Sequence, residues 1–307
     1  MTANPNPTRT ETGYSVVVSA NVLPRMKKLL VVTALVLLHL AATAQKSALL
    51  WEISGNGLQR PSYLFGTIHL LCPTDYRLSD TVKARLAATQ QLALELDFDD
   101  PKMTTAMQRT MTMTGGKTLK DVLGEADYAL VNAYFRDSLK MPLTPFAGSK
   151  PFVLMSLLYP KLLGCAPKSY ELEFVQLAKK DKKEVIGLET VEEQMALFDK
   201  IPYEKQAEQV VKTVKDPAKA RKEFADLVKL YRAEAIKKMP RLANRESGFK
   251  GYEGDLLENR NRRWIPLIER EARAMPTFFA VGAAHLGGKT GVVRLLKKAG
   301  FTLRAVE

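Results

Sequence analysis

Two histidines stand in the same local frame. Ser62–Cys72 reads S-Y-L-F-G-T-I-H-L-L-C and Thr277–His285 reads T-F-F-A-V-G-A-A-H. In each, a run of β-formers stops at a glycine, Gly66 or Gly282, and the histidine, His69 or His285, follows three residues later. The third histidine, His39, lies in an N-terminal stretch expected to be removed. With glycine at 18 of 307 positions, two such histidines arise together by accident roughly 0.3% of the time, which marks the pair as a motif worth a functional hypothesis. Glycine at a strand end lets the backbone turn sharply or lets a ligand approach closely, so Gly66 and Gly282 are read as ligand-approach positions. Strand ends of open α/β sheets are where sites are built, and two imidazoles at one edge can converge on one ligand. The plainer alternative is two unrelated loop histidines, each following a turn.

Other residues point to the same chemistry. Glu95 sits between Leu94 and Leu96 in a run otherwise fit for burial, where a carboxylate is costly unless paired, protonated or bound to a cation. A strand beside the one ending at Gly66 would bring Glu95 near His69; the bland reading is a solvent-facing acid at a strand end. Leu257, Asn261, Trp264 and Ile268 follow helical spacing, which puts Asn261 on an inward stripe with Arg260 beside it. A buried amide and a guanidinium at its edge need partners, which an active site or an internally satisfied pair can supply. Pro266 is expected to kink this helix. Glu189, in Gly187-Leu188-Glu189-Thr190, reads either as a second acid at the sheet edge or, by slight preference, as a helix N-terminal acid favoured by the dipole.

The elements that must position these residues follow from pattern. A hairpin is expected from Leu49–Ile53, a turn at Gly55-Asn56-Gly57 and Ser62–Phe65. Ser79-Asp80 can cap a helix running to about Gln90, and Leu92–Asp97 reads as a buried strand. Residues 102–180 carry mostly helical signals, Glu184–Leu188 a short strand, and 203–238 charged amphipathic helices that read as solvated cover without chemistry. Strand Thr277–Val281, a loop, helix Thr290–Ala299 and strand Phe301–Val306 form a βαβ unit. Its loop matches a relaxed phosphate-loop pattern, but one strand afterwards leaves no place for a magnesium-binding acid.

The ends and composition bound the rest. Met26-Lys27-Lys28, the apolar Leu29–Leu40 and the small-x-small Ala42-Thr43-Ala44 read as a secretory signal, with Met26 as the start and residues 1–25 as an upstream extension. Export to the periplasm or beyond is the expectation, with residues 45–307 as one domain and no stable membrane span after cleavage. The formal charge of +13 falls to +10 without residues 1–44. The remaining basic runs sit among acidic residues without an aromatic-interleaved module, so nucleic acid is not an expected partner. Cys72 and Cys165 form an even pair that an oxidising compartment permits to bridge, or stay as two buried thiols.

Taken together, Tyr63–His69, Leu94-Glu95-Leu96-Asp97, Gly187–Thr190 with Gln194, Arg260–Trp264 and Val281–His285 resemble the TraB/GumN family, which includes the animal Tiki proteases, and look like its exported GumN-type branch. The resemblance implies an α/β fold related to the erythromycin-esterase and ChaN-like group. Its central mixed sheet is built from N- and C-terminal βα units, with a mostly helical insertion at about 102–250. Tiki members are described as divalent-metal-dependent proteases that trim Wnt amino termini. By matched position, His69, Glu95 and His285 become the implied catalytic or metal-binding set, assisted by Arg260 and Asn261. Two imidazoles and a carboxylate suit Zn²⁺, Mn²⁺ or Co²⁺, which would activate water against a peptide or small-molecule substrate while Arg260 or Asn261 stabilises the oxyanion. The same residues could hydrolyse without metal, Glu95 as base and a histidine as acid. Haem binding between the histidines near Tyr63, and a non-catalytic accessory role, are the alternatives.

Overall fold

The hairpin forms where glycine and asparagine permit it. Gly55, Asn56 and Gly57 all take positive φ, 72°, 48° and 82°, a conformation that asparagine and glycine tolerate best. This turn joins strand β1 (Leu50–Ser54) to strand β2 (Ser62–Thr67) in an antiparallel pair with Trp51 opposite Leu64. The computed structural model describes Met1 and Ser47–Glu307. The signal-peptide reading and His39 lie outside the described residues. Among these residues no helix is long and apolar enough to cross a membrane.

The remaining strands are β3 (Gln91–Leu94), β4 (Glu184–Gly187), β5 (Thr277–Gly282) and β6 (Thr302–Ala305). They complete a six-stranded mixed sheet in the order β4-β3-β5-β2-β1-β6, which gives the α/β class. β2, β5, β3 and β4 run parallel, with Gly66 opposite Val281, Leu94 opposite Ala280 and Leu94 opposite Gly187. β2 and β3 are buried throughout and β5 in all but its last residue, as parallel strands covered on both faces are, while the edge strand β4 is exposed at both ends. β6 pairs antiparallel with β1, so the last crossover passes over β2 and β1.

Helices are placed by local chemistry. Ser79 Oγ caps Asp80–Ala87, Ser169 Oγ caps Tyr170–Lys180, and Thr190 with Glu193 forms a capping box on Val191–Asp199. Asn259–Ala274 is one helix with Pro266 in its interior. Val82, Phe174, Tyr231, Trp264 and Ile268 from four helices join the sheet residues in one apolar cluster. A second cluster, with Leu119, Phe135, Leu154 and Val210, is built on the helices Leu119–Tyr134, Pro151–Leu163 and Tyr203–Lys215 and the short helical turn Phe135–Leu139.

Sheet order corrects one expectation. β5 lies between β2 and β3, so Glu95 is not on the strand next to His69. Its neighbour is the β5 end that carries His285. Strand adjacency is a long-range property, and the local pattern of Leu92–Asp97 does not encode it.

Candidate functional site

Each parallel strand delivers one residue at its carboxyl end: His69 after β2, Glu95 after β3, Glu189 after β4 and His285 after β5. The ladder continues past the strands, with Leu188 N–H donating to Leu94 O at 2.8 Å and Glu189 N–H to Glu95 O at 3.0 Å. Both acids are thereby aimed at one point above the edge. That point is filled by Arg260.

Arg260 uses every donor it has. Nε–H donates to Glu189 Oε1 and Oε2 at 3.0 and 3.2 Å. Nη2 reaches Glu95 Oε2 and Glu189 Oε1. Nη1 donates to Leu256 O and His285 Nε2, each at 3.2 Å. The guanidinium also lies 4.8 Å from the Trp264 ring centroid. Five N–H groups meet five acceptor directions, and none is left for a substrate oxygen. Asn261 is spent likewise: Nδ2 donates to His285 O at 3.3 Å and Thr290 O at 2.9 Å, and Oδ1 accepts from His285 Nδ1 at 2.6 Å. Gln194 Nε2 ties the two acids, donating to Glu189 Oε1 at 2.9 Å and Glu95 Oε2 at 3.5 Å.

This arrangement fixes protonation. Burial alone would lift the Glu95 carboxyl, but Arg260 and the Gly282 N–H, which donates to Oε1 at 2.7 Å, hold it far below the usual carboxylate range. Burial and Arg260 together push His285 down to about 3 against the pull of Glu95. Asn261 Oδ1 can only accept, so the neutral ring carries its hydrogen on Nδ1 and its lone pair on Nε2. Glu95, Glu189, Arg260, Asn261 and His285 are each 7% exposed or less.

His69 is different. Its side chain is 66% exposed, and Nδ1 lies 2.9 Å from Oε1 of Glu171, which is buried at the start of the Tyr170–Lys180 helix. Thr67 Oγ1 donates to the same Glu171 oxygen at 2.7 Å and Ser169 Oγ to the other at 2.8 Å. Burial would raise the Glu171 carboxyl, yet His69 and these hydroxyls hold it down at about 2. The atoms packed round His69 disfavour its charge, but Glu171, by charge and hydrogen bond, outweighs them and lifts the imidazole above its ordinary value. Glu95 and Arg260 also act on the His69 proton, with opposite signs, which places His69 at the same edge.

Two clamps hold the pair. Leu71 and Lys168 exchange backbone hydrogen bonds of 3.0 and 2.7 Å, and Cys72 and Cys165 are joined in a disulfide, the bridged one of the two states the sequence allows. Tyr231 Oη donates to Gly66 O at 3.0 Å and fixes the β2 end. Because the bridge closes a separation of 93 residues, reduction should cost about 2–4 kcal/mol by freeing the unfolded chain. Urea titration with and without a phosphine reductant measures this; an unchanged midpoint would show that the bridge is not formed in solution.

The glycines serve the protein's own packing. A Cβ at Gly66 would come within 3.0 Å of Ala283 Cβ and Leu286 Cδ2, and one at Gly282 within 3.3 Å of Glu95 Oε1. The close approach is that of the other loop and of a carboxylate. Glu189, read by slight preference as a helix N-terminal acid, is instead an ion-pair partner of Arg260; the first turn of that helix holds Glu192 and Glu193. Glu171 and Thr67 were not singled out by the sequence reading. Glu171 looks like any first-turn acid after a serine cap, and the only hint was its position shortly after Cys165.

A divalent ion shared by His69, Glu95 and His285 does not fit this arrangement. The Arg260 guanidinium occupies the space between Glu95 and His285 and donates to the one free nitrogen of His285. Among the described residues no group of three or more His, Cys, Asp or Glu stands in metal-binding proximity. Haem ligation by His285 meets the same obstacle, since both ring nitrogens are already bonded.

The helices beyond the edge form a cleft. Ile68, His69 and Leu70 line a cavity of about 310 Å³ together with Met155, Tyr159 and Phe224. The 203–238 region, expected to be cover without chemistry, supplies much of this wall.

No curated protein and no solved structure matches the chain. The model of the TraB/PrgY/gumN family matches residues 49–305, a span that takes in both Gly-x-x-His motifs, Glu95, Glu189, Arg260 and Asn261. The chain therefore belongs to the TraB/PrgY/gumN family.

Proposed function

We propose that this chain is an exported hydrolase of the GumN-type branch that cleaves an ester or amide without a resident metal, using a His69–Glu171 dyad. The observation that carries this reading is the contrast in exposure. His69 faces the cleft with a buried carboxylate behind its Nδ1, while Glu95, Arg260, Asn261 and His285 are buried and mutually satisfied.

A carboxylate behind Nδ1–H fixes the tautomer and leaves the Nε2 lone pair for the substrate side, the logic of a base oriented by a third group. Neutral His69 takes a proton from water as its oxygen attacks the carbonyl carbon. The tetrahedral adduct then collapses as the imidazolium returns that proton to the leaving oxygen or nitrogen. Glu95, held far below the usual carboxylate range, is too weak a base for this step. Arg260 and Asn261, with all donors engaged, act by holding the ends of β3, β4 and β5 in register rather than by meeting an oxyanion.

The test is hydrolysis of 4-nitrophenyl esters and a peptide library with and without chelator. Activity that survives chelation and is lost in His69→Gln is expected. Activity abolished by chelation and restored by Mn²⁺, Co²⁺ or Zn²⁺ would overturn the metal-free mechanism and return the family-implied metallopeptidase.

The dyad makes a separate prediction. Glu171→Gln keeps an acceptor for His69 but removes the charge, so the His69 pKa, read by nitrogen-15 NMR titration, should fall to or below about 6.5. The stability sign follows. A raised His69 pKa contributes stability that is fully present below about 6.5 and is lost as pH climbs through the folded-state value. A lowered Glu171 pKa contributes stability present above about 4.3 that is lost as pH falls toward its folded value of about 2. The stability advantage of wild type over Glu171→Gln should therefore peak near pH 5–6 and shrink on both sides. An advantage independent of pH would show that the pair is not ionic.

A further inference from the structure

We propose that the cleft beside His69 is a subsite for the neutral, apolar acyl portion of the substrate; this rests on the hydrolase reading above. Its volume of about 310 Å³ lies within the range of small-molecule sites. His69 is itself part of the lining, between Ile68 and Leu70, so a group held there is held against the reacting side chain. The opposite wall comes from Met155 and Tyr159 on Pro151–Leu163 and from Phe224 on the Pro217–Arg232 helix.

Polar chemistry in the cleft narrows the ligand. Apart from His69, the charged lining residue is Glu223, an acid that lies 3.9 Å from Lys219 across one helical turn. No Lys or Arg is in the lining, so nothing there favours an anionic group. Tyr159 packs its ring 6.1 Å from that of Phe224, and its hydroxyl has no hydrogen-bond partner among the described residues. Burial pushes the phenol up, so it remains a neutral O–H donor in an apolar wall. The other neutral polar groups in the lining are Gln209 and Thr213, whose hydroxyl donates to Gln209 O at 3.0 Å; neutral donors set in aliphatic and aromatic surface suit a chain or ring carrying a neutral acceptor, as in the acyl half of an ester or amide.

The experiment measures binding apart from turnover. Calorimetry on the full chain with acetamide, butyramide, hexanamide and octanamide should show affinity rising about fourfold per methylene, the equivalent of ~0.8 kcal/mol, with a negative heat-capacity change. Ala243→Trp, which fills the cavity, and Met155→Glu, which charges it, should each weaken octanamide binding by about tenfold or more and flatten the series, with circular dichroism confirming the fold. Tyr159→Phe should weaken every amide by a similar few-fold and leave the slope. A flat series in wild type, or a slope that survives Ala243→Trp, overturns the subsite. Parallel hydrolysis of 4-nitrophenyl acetate and octanoate separates the two claims. A binding slope without turnover of either ester keeps the subsite and removes the hydrolase reading; turnover of both at equal kcat/KM without a binding slope does the reverse.

Discussion

His69→Gln is expected to lower ester hydrolysis about 100- to 10,000-fold, the usual worth of a positioned proton-transfer group, while costing about 1 kcal/mol of stability. The two effects separate because His69 is largely exposed, and Glu171, its buried partner, keeps the Thr67 and Ser169 hydroxyls when the imidazole is gone. The pH profile of the wild type carries the sign. Neutral His69 is the base, and Glu171 lifts its pKa, so kcat/KM should rise with pH along a limb displaced above about 6.5. Glu171→Gln should move that limb down together with the NMR titration. A rate that falls across the same range would make charged His69 the acid and send the search for the base elsewhere. An unchanged rate in His69→Gln would remove the dyad from the chemistry.

The largest stability effect belongs to Arg260. Arg260→Met leaves Glu95 and Glu189 buried without their shared cation and should destabilise by about 3–5 kcal/mol in urea at pH 7. Arg260→Lys should recover little, because one ammonium cannot span two carboxylates, an imidazole nitrogen and a carbonyl as the planar fork does. The loss has a pH signature. Without Arg260, the burial that would raise the Glu95 carboxyl is no longer countered by that cation, so protonation of Glu95 relieves the mutant and its deficit should be smaller near pH 4 than at pH 7. Combining Arg260→Met with Glu95→Gln and Glu189→Gln should restore part of the loss. A deficit under about 1 kcal/mol at pH 7 would mean that Arg260 does not hold the edge together.

The sequence made much of this visible, for reasons that differ between residues. Gly-x-x-His after a β-run is a local pattern, and the strands end where it says. Asn261 was legible because helical spacing alone puts it with Trp264 and Ile268 on the buried stripe. Glu95 was legible as a burial anomaly. What stayed hidden was which groups meet. The insertion of β5 between β2 and β3 moves Glu95 from His69 to His285, and no local period records strand order. Glu171 was hidden because its partner is 102 positions away and its setting, an acid in the first turn of a capped helix, is ordinary. The role of Arg260 turned on counting donors, which requires seeing all the acceptors.

The Cys72–Cys165 bridge bears on what happens when the polypeptide is cut. His69 and Glu171 lie on opposite sides of the segment that the bridge closes into a ring. Any single nick between Cys72 and Cys165 opens the ring without parting the molecule, and the Leu71–Lys168 pairing continues to hold the two sides in register. A protein cut once within the helices Met103–Thr110, Leu119–Tyr134 or Pro151–Leu163 would thus run as one species on a non-reducing gel and as two after reduction, with the dyad still joined in the first case.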